Sequence, residues 1–226
     1  MRSYLLVSLA SIFAPLPVLR AADNPSKDEE RLLQVIDKLG GDGSIDSKAE
    51  GKARVVARFD KLTDAQLASL KGATCLLAVE VADAGKLTDR GGELLRTLAH
   101  LQRLSLNKPG ITDRGLAALK SLTELRILYL GGAKIGDAGL TNLKPLTGLE
   151  ELDLYDTRVT DKSLPLIEGF ENLTSLNLAG TKVTDAGAKH LREMKNLKLL
   201  NLSMTEVSMP AIKSIEDAIP GIRVRR

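Results

Sequence analysis

The chain has 226 residues, no tryptophan, three tyrosines, three phenylalanines and a formal net charge of +3. So few aromatic side chains exclude a core built around large rings; the interior must be assembled from aliphatic layers, which favours repetition. The near balance of charge leaves no footprint for nucleic acid, and a single cysteine excludes an intrachain disulfide.

At the start of the chain, Arg2 precedes an apolar run from Tyr4 to Leu19, and the small residues Ala21 and Ala22 follow it. This is the order of a secretory signal peptide over residues 1–22, so the mature chain is expected in the periplasm or outside the cell, free of the membrane. An uncleaved anchor is the alternative, but Pro15, Pro17 and Arg20 interrupt a run already shorter than the roughly 20 residues a spanning helix needs.

Residues 23–52 read as an N-terminal cap. Ser26 and Glu29 have capping-box spacing ahead of Leu32, Leu33, Val35, Ile36 and Leu39, which predicts an amphipathic helix stopped by Gly40 and Gly41. A short hairpin follows, Ser44 to Asp46 and Arg54 to Arg58. Asp42 and Asp46 lack the spacing of a calcium loop and read as a solvated turn. Cys75, the one cysteine, reads as a buried side chain, with a reactive thiol or an intermolecular bridge as the alternative.

From residue 53 to 226 a signature recurs. Thr63-Asp64, Thr88-Asp89, Thr112-Asp113, Thr160-Asp161 and Thr184-Asp185 stand at a period of 24 or 25, with Gly136-Asp137 as a variant and Ser208 one period further on. Upstream of each anchor lies LxxLxL, as in Leu125, Leu128 and Leu130, whose last spacing is that of a strand. Downstream, apolar residues step by three, as in Leu116, Leu119 and Leu122, which is helical. Each of about seven units is therefore a strand, a bend and a returning helix. The Thr or Asp of the anchor is placed to cap that helix; a role in every unit argues for capping over metal binding or catalysis. Gly91, Gly115, Gly139 and Gly187 mark a close approach between helices. Ser163 breaks that rule and Pro165 follows it, so this helix is expected to be distorted or partly 3₁₀.

These residues carry a resemblance. The pattern LxxLxLxxTxVTDxGLxxL, present as LEELDLYDTRVTDKSL and LTSLNLAGTKVTDAGA, resembles the leucine-rich-repeat superfamily, in its short-period, TD-containing bacterial class. It is similar to repeats of ribonuclease-inhibitor-like and F-box-associated proteins. The resemblance covers roughly residues 53 to 226 and implies an α/β right-handed solenoid, a horseshoe with a parallel concave sheet and convex helices. It is specific for fold and unspecific for function. Where many such repeats place Asn or Cys in the bend, this chain has Thr157, Thr181 and Thr205, whose hydroxyls suit bend backbone groups; Ala133 and Pro109 break the series. At the C-terminus Ile212, Ile215 and Ile219 make the last helix and Ile222 and Val224 a truncated strand.

No motif for a nucleophile, zinc site or nucleotide appears, and His100 and His190 fall in the convex halves of different units, so neither cofactor nor enzyme activity is expected. Binding would use the strand residues between the leucines, in rows such as Ala78, Glu80 and Ala82, or Ile127, Tyr129 and Gly131. Both tyrosines beyond the leader lie in such rows beside two carboxylates. Tyr129, Glu151, Asp153 and Tyr155, flanked by Arg103, form the candidate patch for a protein or peptide partner. The plainer reading is that Tyr suits an exposed strand by β-propensity alone. The leading function is an exported, non-enzymatic binding or scaffolding module; the rivals are a structural envelope component without a discrete ligand, and a substrate adaptor or effector similar to F-box-associated repeat proteins.

Overall fold

Ser26 opens the first element as its spacing predicts. Its hydroxyl accepts from the Glu29 N–H at 3.3 Å, and the Glu29 carboxylate accepts from the Ser26 N–H at 2.7 Å, starting α1 (Lys27–Lys38). Gly40, at φ +77°, ends it in a conformation that only glycine adopts without strain. The computed structural model describes residues 25–226, and the leader read at residues 1–22 lies outside the described residues. The buried face of α1, Leu32 and Ile36, packs on an antiparallel hairpin of β1 (Asp42–Ile45) and β2 (Val55–Lys61). The hairpin starts two residues before its expected position, and β2 runs on to Lys61. Its far end stays in register with the next strand, Arg58 opposite Glu80 and Lys61 opposite Asp83.

Every later strand adds in parallel: β3 (Leu76–Asp83), β4 (Arg103–Leu106), β5 (Ile127–Tyr129), β6 (Glu151–Asp153), β7 (Ser175–Asn177), β8 (Leu199–Asn201) and β9 (Arg223–Arg225). The nine strands among the described residues lie in sequence order and the sheet is open. Register stacks Leu104, Leu128, Leu152, Leu176 and Leu200 into one buried column, which ends on the partly buried Val224. One rung of a parallel sheet is about 4.8 Å, so each unit needs only a three- or four-residue strand to carry the core forward.

The return segments are α2 (Asp64–Ala68), α3 (Asp89–Leu95), α4 (Asp113–Leu116), α5 (Asp137–Leu140), α6 (Leu164–Glu168), α7 (Asp185–Leu191) and α8 (Met209–Ala218). Those after α4 and α5 tighten into 3₁₀ turns, Ala117–Ser121 and Thr141–Leu143. In the Pro165 unit the order reverses. A 3₁₀ turn, Asp161–Ser163, comes first and α6 starts around the proline, which is the distortion the sequence implies.

The anchors divide their labour. The Thr caps its own helix: Thr88, Thr112, Thr160 and Thr184 each accept from the N–H two residues on. Of the two anchor residues the expectation offered, the Thr is the cap, and the Asp serves another unit. Its carboxylate crosses to the next unit, where Asp161 accepts from the Thr184 N–H at 2.8 Å and from its hydroxyl at 2.7 Å. Asp64, Asp89, Asp137 and Asp185 repeat that bridge to Thr88, Thr112, Thr160 and Ser208, and Asp113 reaches the Gly136 N–H at 2.8 Å. This carboxylate also explains the glycines: a Cβ on Gly139 would stand 2.3 Å from Asp113 Oδ1, and one on Gly187 2.4 Å from Asp161 Oδ1. Ser163 escapes the clash because its hydroxyl donates to Asp137, turning the crowded position into a bond.

The bends share a conformation as well. Lys108, Gly132, Asp156, Gly180 and Met204 recur every 24 residues, and all have positive φ, from 49° at Lys108 to 75° at Gly132. Thr157, Thr181 and Thr205 follow three of them and donate back to the carbonyls of Leu154, Leu178 and Leu202 at 2.6–2.7 Å. At Ala133 only the backbone N–H reaches the corresponding Leu130 carbonyl. Met204 has the left-handed backbone with a side chain 71% exposed, so it takes strain without gaining burial. Met204→Gly is expected to raise stability by up to about 1 kcal/mol, relief of strain exceeding the added chain entropy; a urea midpoint that falls would contradict it.

Candidate functional site

The face of the sheet opposite the leucine column carries the candidate residues in two aligned rows. One runs Arg103, Ile127, Glu151, Ser175, Leu199 and Arg223; the other runs Glu80, Ser105, Tyr129, Asp153, Asn177, Asn201 and Arg225. Parallel pairing in register puts Tyr129 directly opposite Asp153 on the next strand. Its phenol nevertheless reaches diagonally and donates to the Glu151 carboxylate. Burial, then that bond, push the Tyr129 hydroxyl well above the usual tyrosine range, so it is a neutral donor at any physiological pH. Tyr155, just past β6, is 40% exposed and lies over Gly131.

Asp153 is the most informative member. Its Oδ1 accepts from the Tyr155 N–H at 2.7 Å and its Oδ2 from the Asn177 amide at 3.1 Å. Asn177 and Asn201, at the same place in the next two units, accept in the same way from Ala179 and Ser203, at 3.1 Å each. These are side-chain turns that end the strand, and an amide does the work as well as a carboxylate. Burial holds the Asp153 carboxyl above the usual range, against the two bonds that lower it. A raised folded pKa means that ionised Asp153 opposes folding at neutral pH, an opposition that disappears as pH falls through its pKa. Asp153→Asn is therefore expected to raise the thermal midpoint at pH 7 and to lose that advantage in acid; an equal or lower midpoint at pH 7 would overturn the argument.

Arg103, on the strand before Tyr129, is paired with a carboxylate outside the patch. Its Nη1 lies 3.3 Å from Glu80, whose other oxygen holds Arg58 Nε at 3.0 Å. Glu80 is only 8% exposed and is enclosed between those two cations, so Arg103 is turned toward the N-terminal end of the sheet. The rows also start later than expected. Ala78 is fully buried, because Ala49 and Ala53 of the β1–β2 loop form a small apolar cluster with Val56, Leu77 and Ala78. A loop without periodicity gives no sign in sequence of which strand it will cover. Two residues of the rows that lie outside the expected patch, Asn177 and Glu80, are thus what fix Asp153 and Arg103.

Elsewhere, carboxylates pair with histidines on the helical side, His100 with Glu124 at 3.1 Å and His190 with Glu168 at 2.6 Å, each joining neighbouring units. Asp46 accepts from the Lys48 N–H at 2.9 Å, which makes it the turn residue its position suggested. No helix among the described residues is long and apolar enough to cross a membrane.

Comparison with known proteins agrees with this fold. The Leucine Rich repeat family matches residues 97–120, 121–144 and 171–191. No curated protein matches the chain. Among solved structures it is similar to an internalin from Listeria monocytogenes, with a TM-score of 0.57 and 22% identity over 71% of this chain and 43% of the other. It is also similar to an internalin C2 from the same organism, with a TM-score of 0.56 and 23% identity over 70% of this chain and 64% of the other. The chain thus spans less than two thirds of the length of either. The protein has the α/β solenoid fold of leucine-rich repeats, its sheet open.

Proposed function

We propose that this leucine-rich-repeat protein is an exported, non-enzymatic binding module whose repeats belong to the short-period, TD-containing class. Its concave sheet takes a protein or peptide partner through Tyr129, Glu151, Asp153 and Tyr155. The observation that carries the reading is Asp153: a half-buried carboxylate, its pKa raised by burial, that holds the Tyr155 N–H and the Asn177 amide where the next two units close the same turn with asparagine. A buried carboxylate at a position where an amide makes the same turn is best explained by use. Support comes from the company it keeps, since both tyrosines among the described residues lie on this face, and a phenol offers apolar area with a polar tip. Two carboxylates beside them favour a partner segment carrying Lys or Arg. The anchoring aspartates do not compete for a chemical role, being engaged by the backbone of the next unit.

The test compares the wild-type chain with Glu151→Lys/Tyr155→Ala, and with Lys144→Glu on the helical side as control, in binding to extracellular and envelope proteins of the source organism. A partner retained by the wild type and the control and lost by the double variant, all three unfolding alike in urea, supports the reading. A partner that binds all three, or none, removes the patch and favours a structural role without a discrete ligand.

A further inference from the structure

The loop that covers the N-terminal end of the sheet also leaves a cleft. Where the small cluster of Ala53, Val56, Leu77 and Ala78 ends, a recess of about 170 Å³ opens between the loop and the sheet, the size of one amino-acid side chain. Leu77, Ala49 and Ile127 give it an apolar lining, and Lys48, Arg103 and Arg126 bring three cations to it. The single carboxylate in the lining, Asp46, already accepts from the Lys48 backbone.

The two guanidinium groups each have a partner outside the lining. Arg103 is fixed by Glu80 through one nitrogen, and Arg126 by the Gly148 carbonyl, 3.2 Å from its Nη1. A guanidinium carries five N–H donors, so each keeps donors for a ligand while its orientation is set in advance. Apolar lining beside cations is the complement of a group that is itself half apolar and half anionic. Register then points along the sheet: Arg103 stands next to Ile127, and Ile127 next to Glu151 of the acidic patch.

We propose that this cleft receives the C-terminal residue of an extended peptide, its free carboxylate on Arg126, Arg103 and Lys48 and its apolar side chain against Leu77 and Ile127. The inference extends the concave-face reading and rests on it only for the rest of the peptide, whose upstream basic residue meets Glu151 and Asp153. Capture of a terminal carboxylate by fixed donors is a recurring mode of peptide recognition. It also gives Arg103, at the junction of cleft and patch, a task in binding.

The test uses amide NMR on the full chain with two small probes. N-acetyl-leucine is expected to shift the amides of Gln102, Arg126 and Ile127, and its neutral amide to bind about tenfold more weakly or less, the loss of one charge-assisted contact. Lys48→Ala/Arg126→Ala, which changes two exposed side chains, is expected to abolish the response without changing the rest of the spectrum. Equal shifts from the neutral amide, no shifts at all, or a response that survives the double variant would each overturn the proposal. N-acetyl-arginine amide serves as a separate probe of the patch. Shifts at Tyr129 and Glu151 with none at the cleft would remove the cleft alone, and the reverse pattern would remove the patch alone.

Discussion

Asp137→Ala is expected to lower unfolding stability by about 2–3 kcal/mol, because a hydrogen bond to a charged acceptor contributes about that much and donors in partly buried sites would lose their partner. Asp137 accepts from the Thr160 N–H at 2.9 Å, from the Thr160 hydroxyl at 2.7 Å and from the Ser163 hydroxyl. Among the described residues no other unit hangs as many side-chain hydroxyls on one carboxylate, since Ser163 replaces the usual glycine. Asp137→Asn keeps one acceptor and is expected to cost about half as much. The pH dependence separates the charge from the shape. Burial by itself raises the Asp137 carboxyl, but the bonds from Ser163 and Thr160, with Lys162 nearby, outweigh it and hold the group below the usual range. A depressed folded pKa gives stability that is present above the unfolded value and lost as pH falls through the folded one. The margin of wild type over Asp137→Asn in urea should therefore shrink in acid; a margin constant with pH would mean that geometry, not charge, sets the bond. Asp89 and Glu29 act in the same direction. Burial raises Asp89 but the bonds from Thr112 and Gly115 outweigh it, while the Arg54 guanidinium dominates at Glu29.

This ladder shows where sequence reading succeeds and where it stops. The 24-residue period fixes strand, bend and helix because each is a local matter of apolar spacing, and the strands, anchors and last helix lie where that spacing puts them. The Thr caps were legible for the same reason. The reach of each Asp was not, since a residue at the start of a helix is equally able to serve its own first turn or the unit beside it. Ser163 looked like a defect and is a compensated exception, which only the position of Asp137 reveals. At the site, alternation put Tyr129, Glu151 and Asp153 on one face, and register does place them on adjacent strands. Long side chains add freedom that alternation does not fix: Arg103 has a choice of carboxylates and takes Glu80. The β1–β2 loop, with no period to read, removes Ala78 from the open face and builds the cleft.

The second large effect follows from the column of leucines. Leu128 is fully buried and is flanked in register by Leu104 on one side and Leu152 on the other. Leu128→Ala leaves a cavity that neither neighbour is free to fill, as each is held by its own strand, and is expected to cost about 3–4 kcal/mol. Val224 ends the same column on the last strand and is only partly buried, so Val224→Ala is expected to cost about 1 kcal/mol. The contrast tests more than packing. Stability in a solenoid is a sum over units and the interfaces between them, so a weakened middle unit uncouples the two halves while a weakened end merely frays. Hydrogen exchange should then show lost protection at Leu104 and Leu152 in the Leu128→Ala chain, and loss confined to the strand of Leu200 in the Val224→Ala chain. Uniform loss across the sheet in both would show that the units unfold as one body. The concave face would then be too rigid for partner binding at one unit to be tuned independently of the next.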